Sequence, residues 1–100
     1  MKDKRYVISM IAQTSWDEQP RLYTLGFTKI GMIPILCNYD DLESWLLFAD
    51  IKTAKEAWDK YKDKVFEKYG NRIQKHNIFI SEITIAIDKV EDIGERHVRL

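Results

Sequence analysis

The sequence has almost no cysteine: Cys37 is the only one among 100 residues. A single cysteine excludes an intramolecular disulfide and with it the disulfide-stabilised class of small secreted domains, so a reducing cytoplasm is the expected compartment. Glycine (4) and proline (2) are also scarce, which excludes a collagen-like or linker-rich chain. We therefore expect long secondary-structure elements within one domain that spans residues 1–100.

Net charge is absent as well, because 16 basic side chains balance 16 acidic ones. A balanced chain lacks the bulk positive charge that holds many proteins to nucleic acid, so direct nucleic-acid binding is not expected. No apolar run approaches the roughly 20 residues of a membrane-spanning helix, and the apolar run at 6–13 is too thin for a signal peptide. We expect a cytoplasmic protein without a membrane segment.

Alternating apolar residues predict strands of an antiparallel sheet. Residues 5–13 and 21–27 alternate on either side of a polar loop at 14–20, which is typical of a β-hairpin. The stretch from Ile78 to Asp88 is predicted to be a half-buried strand after a connection at 71–77, because Ile83, Ile85 and Ile87 fall on one face and the more polar residues on the other. Ile78 and Ile80 break this alternation, so a bulge or a two-sided start is expected there.

Two further strands are predicted between the hairpin and the C-terminal half of the chain. The apolar stretch 32–37 contains Pro34, which cannot donate to a sheet ladder, so we expect an edge strand or a bulge there. The aromatic run 44–48 is interpreted as a buried strand, because a clear helix start follows it.

One long helix is predicted from its two ends. The sequence from Thr53 to Glu56 fits a capping box, in which each side chain accepts a hydrogen bond from the other residue's backbone N–H. Apolar residues then recur at helical spacing up to Tyr69, and Gly70 suits the left-handed residue that often ends a helix. The predicted helix covers about 53–69.

These elements predict an α+β fold, with an antiparallel sheet of about four to five strands and the helix packed on one face. One helix cannot cover two sheet faces, so the second face is expected to be solvated. The predicted core between helix and sheet consists of Trp45, Phe48, Trp58, Tyr61, Ile83, Ile85 and Ile87.

No catalytic constellation stands out, so no enzymatic activity and no cofactor are expected. Cys37 with His76 or His97 would supply a nucleophile and a base, but the apolar neighbours of Cys37 favour an inert core cysteine. Two histidines 21 positions apart do not make a metal-ligand pattern. A glycine-rich phosphate loop is also lacking.

Carboxylates form two groups that support alternative functions. The groups are Asp40, Asp41 and Glu43, and Asp88, Glu91, Asp92 and Glu95. Together they would make an acidic surface that occupies a basic cleft on a partner protein. Alternatively, Asp40, Asp41 and Asp88 would hold a divalent metal in a small enzyme.

Trp16 is the most unusual aromatic residue, because it lies in the polar loop beside Asp17 and Glu18. An exposed tryptophan would anchor a protein–protein interface. The alternative, that Trp16 folds back as a lid over the sheet edge, is equally compatible with the sequence.

The segment from Trp45 to Trp58, followed by the strand Ile83 to Ile87, resembles small proteins of bacteriophages and mobile elements, including some anti-CRISPR inhibitors. The resemblance lies in a short aromatic strand, a capped helix and a closing strand. It implies a non-enzymatic inhibitor that occludes a surface of a host defence or regulatory protein, such as a nuclease or another nucleic-acid-binding protein. A self-associating subunit, or homodimer, paired through an edge strand near 31–37 is the remaining alternative.

Overall fold

The computed structural model describes residues 2–28, 33–38 and 44–86. Four strands form one antiparallel sheet in the order β3-β2-β1-β4, so the first strand of the chain lies inside the sheet. The predicted α+β fold, with one long helix, is confirmed. The elements are β1 (Lys2–Ala12), β2 (Arg21–Phe27), β3 (Pro34–Cys37), α1 (Ile51–Tyr69) and β4 (Ile73–Ala86).

The core lies between α1 and the middle of the sheet. Alternate residues of β1 face the helix, as their spacing predicts, and α1 contributes Ala54 and Val65 to the same cluster. Most of the buried residues in this cluster belong to β1 and β2, and their side chains pack beneath the helix. The buried cluster consists of Ile8, Met10, Ala12, Tyr23, Leu25, Phe48, Ala54, Val65 and Ile73.

The predicted core is wrong in its C-terminal part. Ile80 pairs with Ile8, which is in the core, and side chains alternate along a strand. Ile83 and Ile85 therefore lie on the sheet face opposite α1, where they are half-buried. Ile87 lies outside the described residues. Phe48 is buried as predicted, whereas the partly buried residues Trp45, Trp58 and Tyr61 are not fully enclosed.

Residues 44–48 do not form the predicted strand; they occupy a split between β1 and β2. The two strands pair only as far as Ser9 and Thr24. Beyond that point Trp45 forms an isolated bridge with Gly26, and Phe48 forms another with Tyr6. The segment therefore bonds to both strands in turn without running alongside either for long.

The edge position predicted for Pro34 is confirmed. Pro34 is the first residue of β3, a strand of four residues that pairs with β2 and with no other strand among the described residues. Because Pro34 begins an edge strand, the N–H that proline lacks does not interrupt the hydrogen bonding of the sheet.

The long helix begins two residues earlier than predicted and has a different cap. Asp50 is the N-cap, and its Oδ1 accepts a hydrogen bond from the backbone N–H of Thr53 at 2.7 Å. Thr53 thus lies inside the first turn and donates to the cap, so the predicted capping box is wrong. The predicted end of the helix at Tyr69 is confirmed, and the N–H of Gly70 donates to the carbonyl of Phe66. Gly70 has a positive φ of 31°, but its ψ of −102° differs from that of the expected left-handed helical residue.

We expect Asp50→Ala to lower the Tm by about 4–8 °C, because it leaves the first-turn N–H groups without their acceptor. Thr53→Ala keeps the backbone N–H that Asp50 binds, so its Tm should fall by less than half as much. Thermal unfolding followed by circular dichroism compares the two variants. An equal loss for both would contradict the cap assignment.

β4 is longer than predicted, because most of the expected connection at 71–77 is part of the strand. The pairing of β4 with β1 is regular from Ile78 to Ala86 and shifts register between Met10 and Ala12. The sequence pattern around Ile78 predicts such an irregularity. No helix in the described parts of the chain is long and apolar enough to span a membrane.

Candidate functional site

The loop between β1 and β2 is organised around the carboxylate of Asp17. Oδ2 accepts hydrogen bonds from the backbone N–H and the hydroxyl of Thr14, both at 2.9 Å, and from the hydroxyl of Tyr23. Oδ1 accepts from Nη1 of Arg21 at 3.3 Å. The Asp17 side chain is consequently only 2% exposed although it belongs to a surface loop.

These hydrogen bonds keep Asp17 ionised. The Tyr23 hydroxyl, followed by the Thr14 backbone N–H, lowers the pKa of Asp17 from 3.8 to about 2. Burial and the same contact with Asp17 raise the pKa of Tyr23 above its ordinary value. Near neutral pH the carboxylate is therefore a charged acceptor that holds the loop residue Thr14 to two residues of β2, Arg21 and Tyr23.

The backbone around Trp16 is fixed by the same network. The Asp17 N–H donates to the Thr14 carbonyl at 3.1 Å, and the Trp16 N–H donates to the Thr14 hydroxyl oxygen at 3.3 Å. The side chain of Gln13 closes the other side by donating to the Asp17 carbonyl at 3.1 Å. The residues on both sides of Trp16 are therefore held in one arrangement.

The indole of Trp16 extends from this loop into solvent. It is 93% exposed, the highest value among the large hydrophobic residues described. Trp16 therefore does not fold back as a lid over the sheet edge, and its role as an interface anchor stays a prediction.

A polar cleft of about 390 Å³ lies beside the loop. Arg21 and Arg72 both line it, and the Arg72 carbonyl accepts from the Gln13 N–H at 2.9 Å, which attaches the loop to the turn after α1. Tyr69 also lines the cleft, and its hydroxyl accepts a hydrogen bond from the Leu36 N–H at 3.1 Å. The surface next to Trp16 therefore combines aromatic rings with two guanidinium groups.

The structure separates the residues that the sequence suggests for partner binding. Trp16 and Glu18 are exposed in the loop, whereas Asp17 faces inward and organises it. The remaining predicted contacts lie outside the described residues, so the acidic surface and the metal-dependent alternative stay predictions. They are Asp40, Asp41, Glu43, Asp88, Glu91 and Asp92.

Within the described part of the chain, no three His, Cys, Asp or Glu residues lie close enough together to hold a metal ion. Cys37 is buried on β3, whereas His76 is exposed on β4, and β2 and β1 lie between these strands. His97 lies outside the described residues. The sheet order thus keeps Cys37 and His76 apart.

Sequence reasoning missed Thr14, Tyr23 and Arg72 as parts of the site. The spacing of Thr14 and Asp17 carries a usable signal, because short polar side chains at such spacing often bond to each other's backbone in turns. Nothing in the sequence brings Arg72 to the loop, since that contact depends on where α1 ends relative to β1.

Acid should remove the stabilisation that the Asp17 carboxylate gives the loop. The folded-state pKa of Asp17 is depressed to about 2 from 3.8, so its stabilising contribution is present above pH 3.8 and is lost as the pH falls through 2. We expect the Tm difference between the wild type and Asp17→Asn to be constant above about pH 5 and to shrink below pH 4. A difference independent of pH would show that the carboxylate charge does not organise the loop.

The site as a whole offers an exposed indole, two guanidinium groups and a polar cleft on a cross-linked loop. Such groups suit non-covalent recognition of another molecule. No protein-family model, no curated protein and no solved structure matches this chain.

Proposed function

We propose that this chain is a non-enzymatic protein-binding module whose contact with its partner is centred on Trp16. The observation that carries the proposal is a 93% exposed indole on a loop that Asp17 cross-links. Tryptophan is enriched among the few residues that dominate binding free energy. A preorganised loop adds to affinity, because little conformational entropy is lost when the partner binds.

The groups around Trp16 indicate the chemistry of the partner. Arg72 lines the cleft beside the loop and has no ion pair with a described residue, and Arg21 keeps donors other than the Nη1 that binds Asp17. Carboxylates on the partner would therefore find donors next to the indole. The partner surface is therefore an apolar pocket with an acidic rim. Occlusion of such a surface on a host defence or regulatory protein, in the manner of phage-encoded inhibitors, is the form of binding that we propose.

Trp16→Ala should weaken partner binding by about 30-fold or more while leaving the Tm within about 2 °C of the wild type. The tagged chain is first used to capture a stoichiometric partner from bacterial lysate, and affinities are then measured with the purified partner. Ile33→Ala is the matched control, because Ile33 is an exposed apolar residue (50%) outside the loop. Its affinity should be unchanged.

Two outcomes would contradict the proposal. One is a Trp16→Ala variant that captures the partner as well as the wild type does. The other is an equal loss of affinity in Trp16→Ala and Ile33→Ala, which would indicate general damage to the surface.

A further inference from the structure

The outer edge of β4 presents backbone groups whose direction follows from the hydrogen bonds of Tyr6. The N–H of Tyr6 donates to the Phe48 carbonyl at 2.9 Å, and its carbonyl accepts from the Phe48 N–H at 2.8 Å. Both groups therefore point away from β4, so Tyr6 and Glu82 form a non-hydrogen-bonded pair. The N–H and C=O of Glu82 must then point outward, as do those of Ile78 and Ile80 by alternation.

No strand among the described residues pairs with this edge. The opposite edge is β3, which is short and begins with Pro34, a residue that discourages pairing with another chain. Within the part of the chain that the structure describes, β4 has no comparable protection, since its regular part, from Ile78 to Ala86, contains one charged residue, Glu82. Of the two sheet edges, β4 is the one suited to accept a further strand.

An apolar groove runs along this edge on the side of the helix. Its volume is about 720 Å³, and α1 and β4 form its two walls. Trp58 and Phe66 contribute aromatic rings from the helix, and Ile78 and Ile80 contribute side chains from the strand. The outward backbone groups of Ile78 and Ile80 thus belong to residues whose side chains already line the groove.

The charges at the groove favour an acidic ligand. Lys55 and Lys75 line it, and neither forms an ion pair with a described residue. The acidic residue of the groove, Asp59, is paired with Lys62 at 3.5 Å. Lys75 lies over the ring of Phe66, 5.8 Å from its centroid. Two lysines therefore remain available to carboxylates of a bound chain.

We propose that the edge of β4 and this groove bind an extended acidic segment of a partner protein, which adds to the sheet as a fifth strand. The backbone of the segment bonds to Ile78, Ile80 and Glu82, while every second side chain enters the groove. Carboxylates of the segment face Lys55 and Lys75. This site shares no lining residue with the cleft beside Trp16, so it does not depend on the function proposed above.

The probe is a blocked octapeptide of alternating valine and threonine with glutamate at both ends, titrated into the full chain by fluorescence anisotropy. Glu82→Pro removes an N–H that points outward and so costs no bond between β1 and β4. It should weaken binding about tenfold or more, because proline removes one donor and blocks approach of the added strand. Glu82→Ala keeps the N–H and should bind the peptide within about threefold of the wild type.

A second measurement does not depend on the folding of a variant. Two N-methylated versions of the same peptide are prepared. One carries N-methyl groups at the odd-numbered residues and the other at the even-numbered residues. The version whose methyl groups block the amides facing β4 should bind about tenfold more weakly than the other version. A lysine-ended peptide should also bind about tenfold more weakly than the glutamate-ended one, and Lys55→Glu should reduce that preference.

Equal binding by Glu82→Pro and Glu82→Ala would overturn the proposal. So would equal binding of the two N-methylated peptides, or equal binding of the glutamate-ended and lysine-ended ones. A wild-type dimer in sedimentation that Glu82→Pro converts to a monomer would also overturn it, because a second copy would then occupy the edge.

Discussion

Gly26→Ala is expected to destabilise the protein by about 3 kcal/mol, or roughly 15 °C in Tm, because a side chain at this position has no room. A Cβ on Gly26 would lie 1.9 Å from the carbonyl oxygen of Ser44 and 2.7 Å from Sγ of Cys37. The oxygen belongs to backbone at the start of the segment that fills the split between β1 and β2. Relief of the collision would require that segment to move away from Gly26.

The loss would extend beyond one contact. Trp45 bridges to Gly26, and the Leu46 N–H donates to the Leu25 carbonyl at 3.0 Å. A displaced segment would lose these bonds and uncover part of β2. Denaturant unfolding measures the free energy of unfolding, and amide exchange of Leu46 reports the displacement directly.

Gly70→Ala is the matched control for Gly26→Ala. Gly70 has a positive φ of 31°, but no atom lies within 4 Å of the position of its Cβ. Its substitution should therefore cost about 1 kcal/mol, from backbone strain alone. If Gly26→Ala cost no more than Gly70→Ala, the close approach of Ser44 to β2 would be contradicted.

Leu25→Ala should be about as damaging as Gly26→Ala, with a loss of about 3 kcal/mol. The Leu25 side chain is 0% exposed and belongs to the cluster under α1. Its truncation removes buried methyl groups and leaves a cavity between sheet and helix, which surrounding side chains fill only in part. Denaturant unfolding with an unchanged m-value would assign the loss to the native state.

Ile85→Ala provides the comparison that tests the position of the core. The sequence pattern places Ile85 under the helix, whereas in the structure it is half-buried on the opposite face of the sheet. The expected loss is about 1 kcal/mol or less. A loss equal to that of Leu25→Ala would show that the sheet face at Ile85 is buried as deeply as the core.

The hairpin, the helix and the antiparallel sheet could be predicted because each depends on local pattern. The start of the helix could not be assigned correctly from pattern alone, since Asp50 and Thr53 are both good N-cap residues and only the backbone path distinguishes them. The polar run from Gln74 to Asn77 suggested a connection. It is instead part of an edge strand, whose exposed side chains need no apolar pattern.

The candidate site was only partly predictable for a similar reason. The sequence indicates that Trp16 is unusual, because a polar loop surrounds it. Its exposure depends on Asp17, whose carboxylate faces the strand residue Tyr23 and not solvent. That orientation follows from the register of the hairpin. The sequence therefore suggests that Asp17 contacts a partner, whereas the structure shows that it organises the loop.

The interior position of the first strand has a consequence for biosynthesis. Ala12 pairs with Ile73, so about 60 residues must be added after β1 before its second neighbour exists. At roughly 5–20 residues per second, the nascent chain carries an unpaired β1 edge for about 3–12 s. Unpaired strand edges promote aggregation. Soluble yield should therefore depend on the rate of translation and on chaperone capacity as much as on the stability of the finished fold.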